Sequence, residues 1–156
     1  MKILLATDGS TFSDAAVEEV IARPWPHDSE VKVISVVEPP SIAATDPWNV
    51  TGDYALTIVK QLNERAENAV RDAVYKLSNS ERQSLKVTSE IAQGPPKRLI
   101  VEEADRWGAD LIVVGSHGYG MWDRLLLGSV SSAVAFHANC SVEIVRRPAA
   151  TRREQK

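Results

Sequence analysis

A chain of 156 residues, 44% of them apolar, has the size of one globular domain and can build a core without disulfides or a structural metal. Its 18 basic and 21 acidic side chains leave a formal charge of −3, which lacks the basic footprint of a DNA or RNA binder. The one cysteine, Cys140, excludes an internal disulfide framework and a cysteine-rich zinc site, and reads as a small core residue in a reducing cytoplasm.

Ile3 to Ala6 form a short apolar run suited to a strand buried on both faces, far shorter than a signal-peptide core or a bilayer span. Asp8-Gly9-Ser10 break it. Thr11 and Asp14 then have capping-box spacing, and Ala15, Ala16, Val17, Val20 and Ile21 recur at helical intervals until Pro24 and Pro26. A second strand is expected through Val31, Val33, Ile34, Val36 and Val37. The stretch from Glu38 to Gly52, with Pro39, Pro40 and Pro47, reads as a long loop.

From Asp53, apolar residues from Leu56 to Leu77 repeat every three or four positions, as in a long amphipathic helix. Leu85, Val87, Ser89 and Ile91 alternate as in a strand, Gly94-Pro95-Pro96 opens a third helix, and Gly108 closes it. The buried-type strand Leu111 to Val114 follows, then a glycine-spaced loop, a helix near Ser129 to His137 and a last strand from Val142 to Val145. One domain over 1–147 is expected, with a polar, frayed tail over 148–156. No stretch approaches the ~20 apolar residues of a membrane-spanning helix, so neither a membrane nor a nucleic acid is an expected partner.

Strands alternating with helices imply an α/β class, a Rossmann-like three-layer sandwich around a five-stranded parallel sheet of order 3-2-1-4-5. In such sheets ligands bind beyond the carboxyl ends of the strands where the order reverses, here between the first and fourth. Asp8 and Gly115 both fall there. Gly115, Gly118, Gly128 and Ser129 sit between a strand and a helix, an arrangement that lets backbone approach a ligand and offers helix N–H groups to an anion.

That Gly-x2-Gly-x9-Gly-Ser spacing, the opening Ile3-Leu4-Leu5-Ala6-Thr7-Asp8-Gly9-Ser10 and the chain length together resemble the nucleotide-binding branch of the universal stress protein family, over nearly the whole chain. The resemblance implies ATP as ligand, with Mg2+ or Mn2+ held mainly by its phosphates. It places Asp8 near the ribose, the Ala6-Thr7 backbone along the adenosine and Val36 against the adenine. Gly115, His117 and Gly118 match the turn around ribose and phosphates, and Gly128, Ser129, Val130 and Ser131 the helix start that holds the phosphates. It also implies a homodimer through the last strand, over 142–145, although Ser141 replaces the usual proline and Glu143 interrupts the apolar run.

Plainer readings stand beside these. Asp8 suits a turn brace as well as a ribose contact, and Arg124 a solvated loop as well as a phosphate contact. His117 reads as a solvent-facing loop histidine rather than a catalyst, and His27 and His137 as surface residues. Trp25 and Trp107 read as packing residues at helix ends, whereas Trp48 and Trp122 suit either a lid over a base or the edge of the core. Three functions remain open: a nucleotide-binding regulatory protein of the stress response with at most slow hydrolysis, an ATP-dependent phosphotransferase or hydrolase, and a nucleotide-free interaction module. The absence of a Gly-x4-Gly-Lys-Ser/Thr loop and of a positioned base favours the first over the second, and the intact glycines favour it over the third.

Overall fold

The computed structural model describes residues 1–39, 52–80, 85–118 and 127–146, with side chains from position 56 onward in the second segment. The elements in chain order are β1 (Lys2–Ala6), α1 (Thr11–Ala22), β2 (Glu30–Val37), α2 (Gly52–Ser78), β3 (Lys86–Gln93), α3 (Pro96–Trp107), β4 (Leu111–Gly115), α4 (Ser129–His137) and β5 (Ser141–Val145). The strands form one sheet of order β3-β2-β1-β4-β5, with every neighbouring pair parallel. This is the α/β Rossmann-like architecture and strand order expected from the alternation.

Burial explains why the central strands are continuous apolar runs. Ile3, Leu4 and Leu5 of β1 and Ile112 and Val113 of β4 are fully buried, because helices cover both faces of the sheet. On one face Val17 and Val20 of α1 and Val70, Ala73 and Leu77 of α2 pack against Ile3, Leu5, Val31, Val33 and Val113. On the other, Ile100 and Ala104 of α3 and Val134 of α4 pack against Leu4, Ile34, Ile112 and Val114. Trp25 and Trp107 pack at the margins of these two cores, and Trp25 Nε1 donates to the Val20 carbonyl at 2.7 Å. Half-buried Cys140 lies against the second core, where burial raises its thiol pKa.

Local chemistry sets the helix ends. α1 is capped by Ser10, whose hydroxyl accepts from the Ser13 N–H at 3.3 Å, so the capping-box reading of Thr11 with Asp14 is corrected by one residue. The Ser10 side chain is buried and the Thr11 side chain exposed, which leaves only the former facing the helix end. α3 ends at Gly108 in the left-handed region, φ 70°, with its N–H returned to Ala104 and Asp105. Among the described residues no helix is long and apolar enough to cross a membrane.

Two ion-pair groups tie elements distant in sequence. Arg23 holds Glu143 of β5 through both guanidinium nitrogens, at 2.8 and 2.7 Å, and also reaches Glu19. Glu143 therefore interrupts the last strand as the partner of α1. Glu103 of α3 is only 4% exposed and lies 2.6 Å from Lys32 Nζ, with Arg106 on its other oxygen. Burial alone would raise the Glu103 carboxyl, but the bonds and charges of Lys32 and Arg106 outweigh it and hold the pKa below the usual carboxylate range.

Candidate functional site: the strand ends between β1 and β4

β1 and β4 pair side by side, so the chain leaves both at the same end of the sheet and diverges to opposite faces, toward α1 and toward α4. The crevice between them is where the strand order reverses. Asp8 stands at its mouth. Its Oδ1 accepts from the Ser10 N–H at 2.9 Å, and Gly9 makes the turn into α1 with φ 74°. The other oxygen, Oδ2, is turned toward β4: a Cβ placed on Gly118 would sit 2.7 Å from it. Asp8 and Gly118, 110 positions apart in the chain, thus meet across the crevice, and only a glycine leaves the carboxylate where it is.

The other two glycines serve different neighbours. A Cβ on Gly115 would lie 2.6 Å from the Phe12 carbonyl carbon, 2.7 Å from its oxygen and 2.8 Å from the Ser13 nitrogen. Gly115 is therefore the point where β4 passes directly under the backbone of α1, a packing demand. Gly128 would meet the Ser116 carbonyl oxygen at 3.1 Å and the His117 Cα at 3.2 Å, and its own N–H donates to that carbonyl at 2.8 Å. The start of α4 is thereby latched onto the residue that follows β4.

Ser131 strengthens the latch. It is 3% exposed, and its hydroxyl lies 3.0 Å from the Ser116 carbonyl and 3.0 Å from the Gly128 carbonyl. One hydroxyl carries one proton, so these carbonyls engage the donor that the sequence reading assigned to phosphate. Ser129, by contrast, is exposed at the first position of α4. Val130 turns its side chain into the α3/α4 core, leaving its backbone for the crevice end of the helix. Ala6 and Val36 are likewise half-buried against that core. Thr7 is buried, with its N–H donated to Ile34 and its hydroxyl to Ser13, so its contribution to the crevice is its backbone rather than its side chain.

His117 departs from expectation. It is 8% exposed, not solvent-facing: its ring lies 5.0 Å from that of Phe12 at 49°, and Nδ1 is 3.0 Å from Ser116 Oγ. The loop after β4 is pulled beneath the first turn of α1, and the imidazole fills the gap. Phe12 and Ser116, which belong to no recognisable motif, are the residues that fix this turn. The only local sign of them is a serine directly after the strand-end glycine.

Electrostatics distinguish the helix starts. α1 has a serine cap and Asp14 in its first turn, so its N–H groups and partial positive charge are already answered. α4 begins at Gly128 with no side-chain cap and no acidic residue in its first turn, so the N–H groups of Ser129 to Ser131 face the crevice end. α3 also lacks a side-chain cap, but it starts with Pro96 beyond the edge strand β3, away from the crevice. The crevice therefore offers a carboxylate on one wall, suited to hydroxyl groups, and an uncapped helix end on the other, suited to an anion. Among the described residues no group of three or more His, Cys, Asp or Glu side chains is gathered for a metal ion. The expectations for Trp122 and Arg124, for Trp48 and most of the loop before α2, and for the 148–156 tail lie outside the described residues.

Comparison with known proteins agrees with this reading of the fold. The family model described as the universal stress protein family matches residues 1–146. Universal stress protein MJ0531 of Methanocaldococcus jannaschii is 34% identical over 150 residues, covering 94% of this chain and 82% of the relative. Among solved structures, the hypothetical protein MJ0577 is similar with a TM-score of 0.79 at 29% identity, over 94% of this chain and 95% of the other. A universal stress protein in complex with cAMP is similar with a TM-score of 0.64 at 25% identity, over 93% and 96%. The chain belongs to the universal stress protein family.

Proposed function

We propose that this universal stress protein binds ATP in the crevice between β1 and β4 and acts as a nucleotide-dependent regulatory protein of the stress response in the cytoplasm, with at most slow hydrolysis. The observation that carries the reading is the meeting of Asp8 with Gly118 opposite the uncapped start of α4. A ribose supplies hydroxyl donors for the carboxylate oxygen turned toward Gly118, and a phosphate chain supplies the anion for the N–H groups of α4 and the Ser129 hydroxyl. The adenine would lie along the backbone of Ala6 and Thr7, toward Val36. The cAMP complex of a family member with the same fold supports a nucleotide, since cAMP carries the same three parts. Mg2+ or Mn2+ would be held mainly by the phosphates.

In this reading Gly118, Asp8, Gly128, Ser129 and Val130 form the binding surface, while Gly115, His117 and Ser131 hold its shape from beneath. The working unit would be a homodimer paired through β5, the outer strand next to β4. Glu143 does not oppose that pairing with a free charge, because Arg23 of the same chain holds it. Occupancy of the crevice would then reach the dimer through the first turns of α1 and α4.

The test is to denature freshly purified protein, identify any released nucleotide by mass spectrometry, and measure turnover of added ATP with magnesium. Release of an adenine nucleotide with near-background turnover is expected. Turnover at saturating ATP that vanishes in Asp8→Ala would instead favour an enzyme. No released nucleotide, together with no binding of ATP to stripped protein, would leave an interaction module.

A further inference from the structure

The sheet has a second edge, far from the crevice. β3 is the outermost strand beyond β2, and beside it runs an open groove of about 500 Å³ between α2 and β3, lined by Val70, Val74, Tyr75, Ser89 and Ile91 among others. Tyr75 is 68% exposed and Ile91 40%. A long edge strand beside exposed apolar side chains is a template for another strand.

The ladder shows which atoms that edge offers. The Lys86 N–H donates inward to Ser29 of the β2 side, and the Gly94 N–H donates inward to Val37. In a parallel ladder inward and outward residues alternate, so Val87, Ser89 and Ile91 turn their N–H and C=O groups outward. An added antiparallel strand must therefore oppose odd residues to odd ones. For a second copy of β3 this leaves few registers. With the two-fold axis through Thr88, Lys86 faces Glu90 of the partner and Glu90 faces its Lys86. Thr88 then meets Thr88, Leu85 meets Ile91, and Val87 meets Ser89. Moving the axis to Ser89 removes both ion pairs, and moving it to Glu90 sets like charges opposite each other.

We propose that β3 is a self-complementary edge that pairs antiparallel with β3 of a second copy about an axis through Thr88, extending the sheet and covering the Tyr75–Ile91 groove with the partner's α2. The charges fit this arrangement. The Lys86 side chain is 71% exposed and only loosely engaged by Glu30 at 3.3 Å. Glu90 is one-third exposed, with Arg106 2.9 and 3.1 Å from its two oxygens and Lys32 3.7 Å from one of them, so the partner's Lys86 would join an existing cluster of cations around this carboxylate. The even residues project toward the α3 face and the odd ones toward α2, so the ion pairs and the apolar pairs lie on opposite faces of the joint sheet. The inference is independent of nucleotide binding and of pairing at β5, which lies at the opposite edge.

Two measurements test it on the full chain. First, in a Cys140→Ser background, Thr88→Cys should form an interchain disulfide under mild oxidation. The two Cα atoms of such a non-hydrogen-bonded pair stand about 4.5 Å apart, within the span of a disulfide. Ser89→Cys, facing Val87 instead of itself, should not. Second, in sedimentation velocity Lys86→Glu and Glu90→Lys should each lower the particle mass relative to wild type, to a dimer where β5 pairing persists and to a monomer where it does not, and an equimolar mixture of the two should restore it, because both mixed pairs are then opposite in charge. Ser89→Pro removes an outward N–H while sparing the bonds to β2, and should lower the mass in the same way, so the test stands even if Glu90→Lys fails to fold. Equal particle mass for wild type and the folded variants, or cross-linking at position 89 but not 88, would overturn the proposal.

Discussion

The contrast between two glycines three residues apart gives the sharpest test of the site's construction. Replacing Gly115 by alanine sets a methyl carbon 2.6, 2.7 and 2.8 Å from three backbone atoms of Phe12 and Ser13. Carbon contacts ordinarily settle at about 3.5 Å, so each overlap is roughly 0.7–0.9 Å. Backbone cannot rotate away as a side-chain tip can. α1 would have to shift, and its Ala16, Val17 and Val20 are at most 1% exposed within the core, so the shift spreads into the sheet packing. Overpacking of this kind costs ~1–3 kcal/mol, and the rigidity of the obstacle points to the upper part of that range. The lost flexibility of the unfolded chain returns roughly 0.4–1 kcal/mol, leaving a net loss of about 2 kcal/mol. For a chain of this length that lowers Tm by about 4–8 °C.

Gly118→Ala meets only the carboxylate tip of Asp8, which can rotate aside. Its Tm should stay within about 2 °C of wild type, the range of a neutral surface change. The functional order is reversed, because the displaced carboxylate forfeits charge-assisted hydrogen bonds worth ~1.5–3 kcal/mol, or roughly 10- to 100-fold in affinity for a ribose-bearing ligand. Thermal unfolding followed by circular dichroism, with and without ATP, reads both effects. A Gly115→Ala protein that melts with wild type, or a Gly118→Ala protein destabilised as much as Gly115→Ala, would refute the division of labour.

Three further outcomes follow from the same contacts. Lys32→Ala should destabilise the fold by about 1–3 kcal/mol in urea titrations, less than the ~3–5 kcal/mol of a fully stranded buried charge because Arg106 still holds Glu103. The Glu103 carboxyl is held below its unfolded value of about 4.3, so its contribution is complete above that pH and lost as pH falls through the lower folded value. Urea midpoints measured from pH 6 downward should therefore fall more steeply below about pH 4 in wild type than in Glu103→Gln. Ser131→Ala removes the hydroxyl that latches Ser116 to Gly128 and should cost roughly 1 kcal/mol. It should also loosen nucleotide binding without removing any group that touches the ligand; unchanged affinity at lower stability would confine Ser131 to the fold.

Much of this architecture is legible in the sequence because its signals are local. The runs Ile3 to Leu5 and Leu111 to Val114 are apolar at every position, as strands buried on both faces must be, and Gly108 ends α3 where the chain turns left-handed. The misreadings occur where the deciding partner is distant. His117 looks solvated beside Gly118, yet Phe12 of α1 covers it from more than a hundred residues away. Glu143 looks like a fault in a strand until Arg23 is placed beside it, 120 positions earlier. Spacing marks Gly115, Gly118 and Gly128 as special but not why. Only the packed structure separates the glycine that admits a helix from the one that spares a carboxylate. Ser10 rather than Thr11 caps α1, and the two carry the same hydroxyl chemistry, so sequence does not say which one faces the helix end.

The claim most exposed to a single experiment is that the Asp8–Gly118 crevice holds the nucleotide. Calorimetric titration of nucleotide-stripped protein with ATP and magnesium, wild type beside Gly118→Ala, tests it directly. Saturable one-to-one binding per chain that weakens by roughly 10- to 100-fold in a variant of unchanged Tm is the expected result. Equal binding by the two proteins, or no heat of binding in wild type at millimolar ATP, would place the ligand elsewhere and contradict the account.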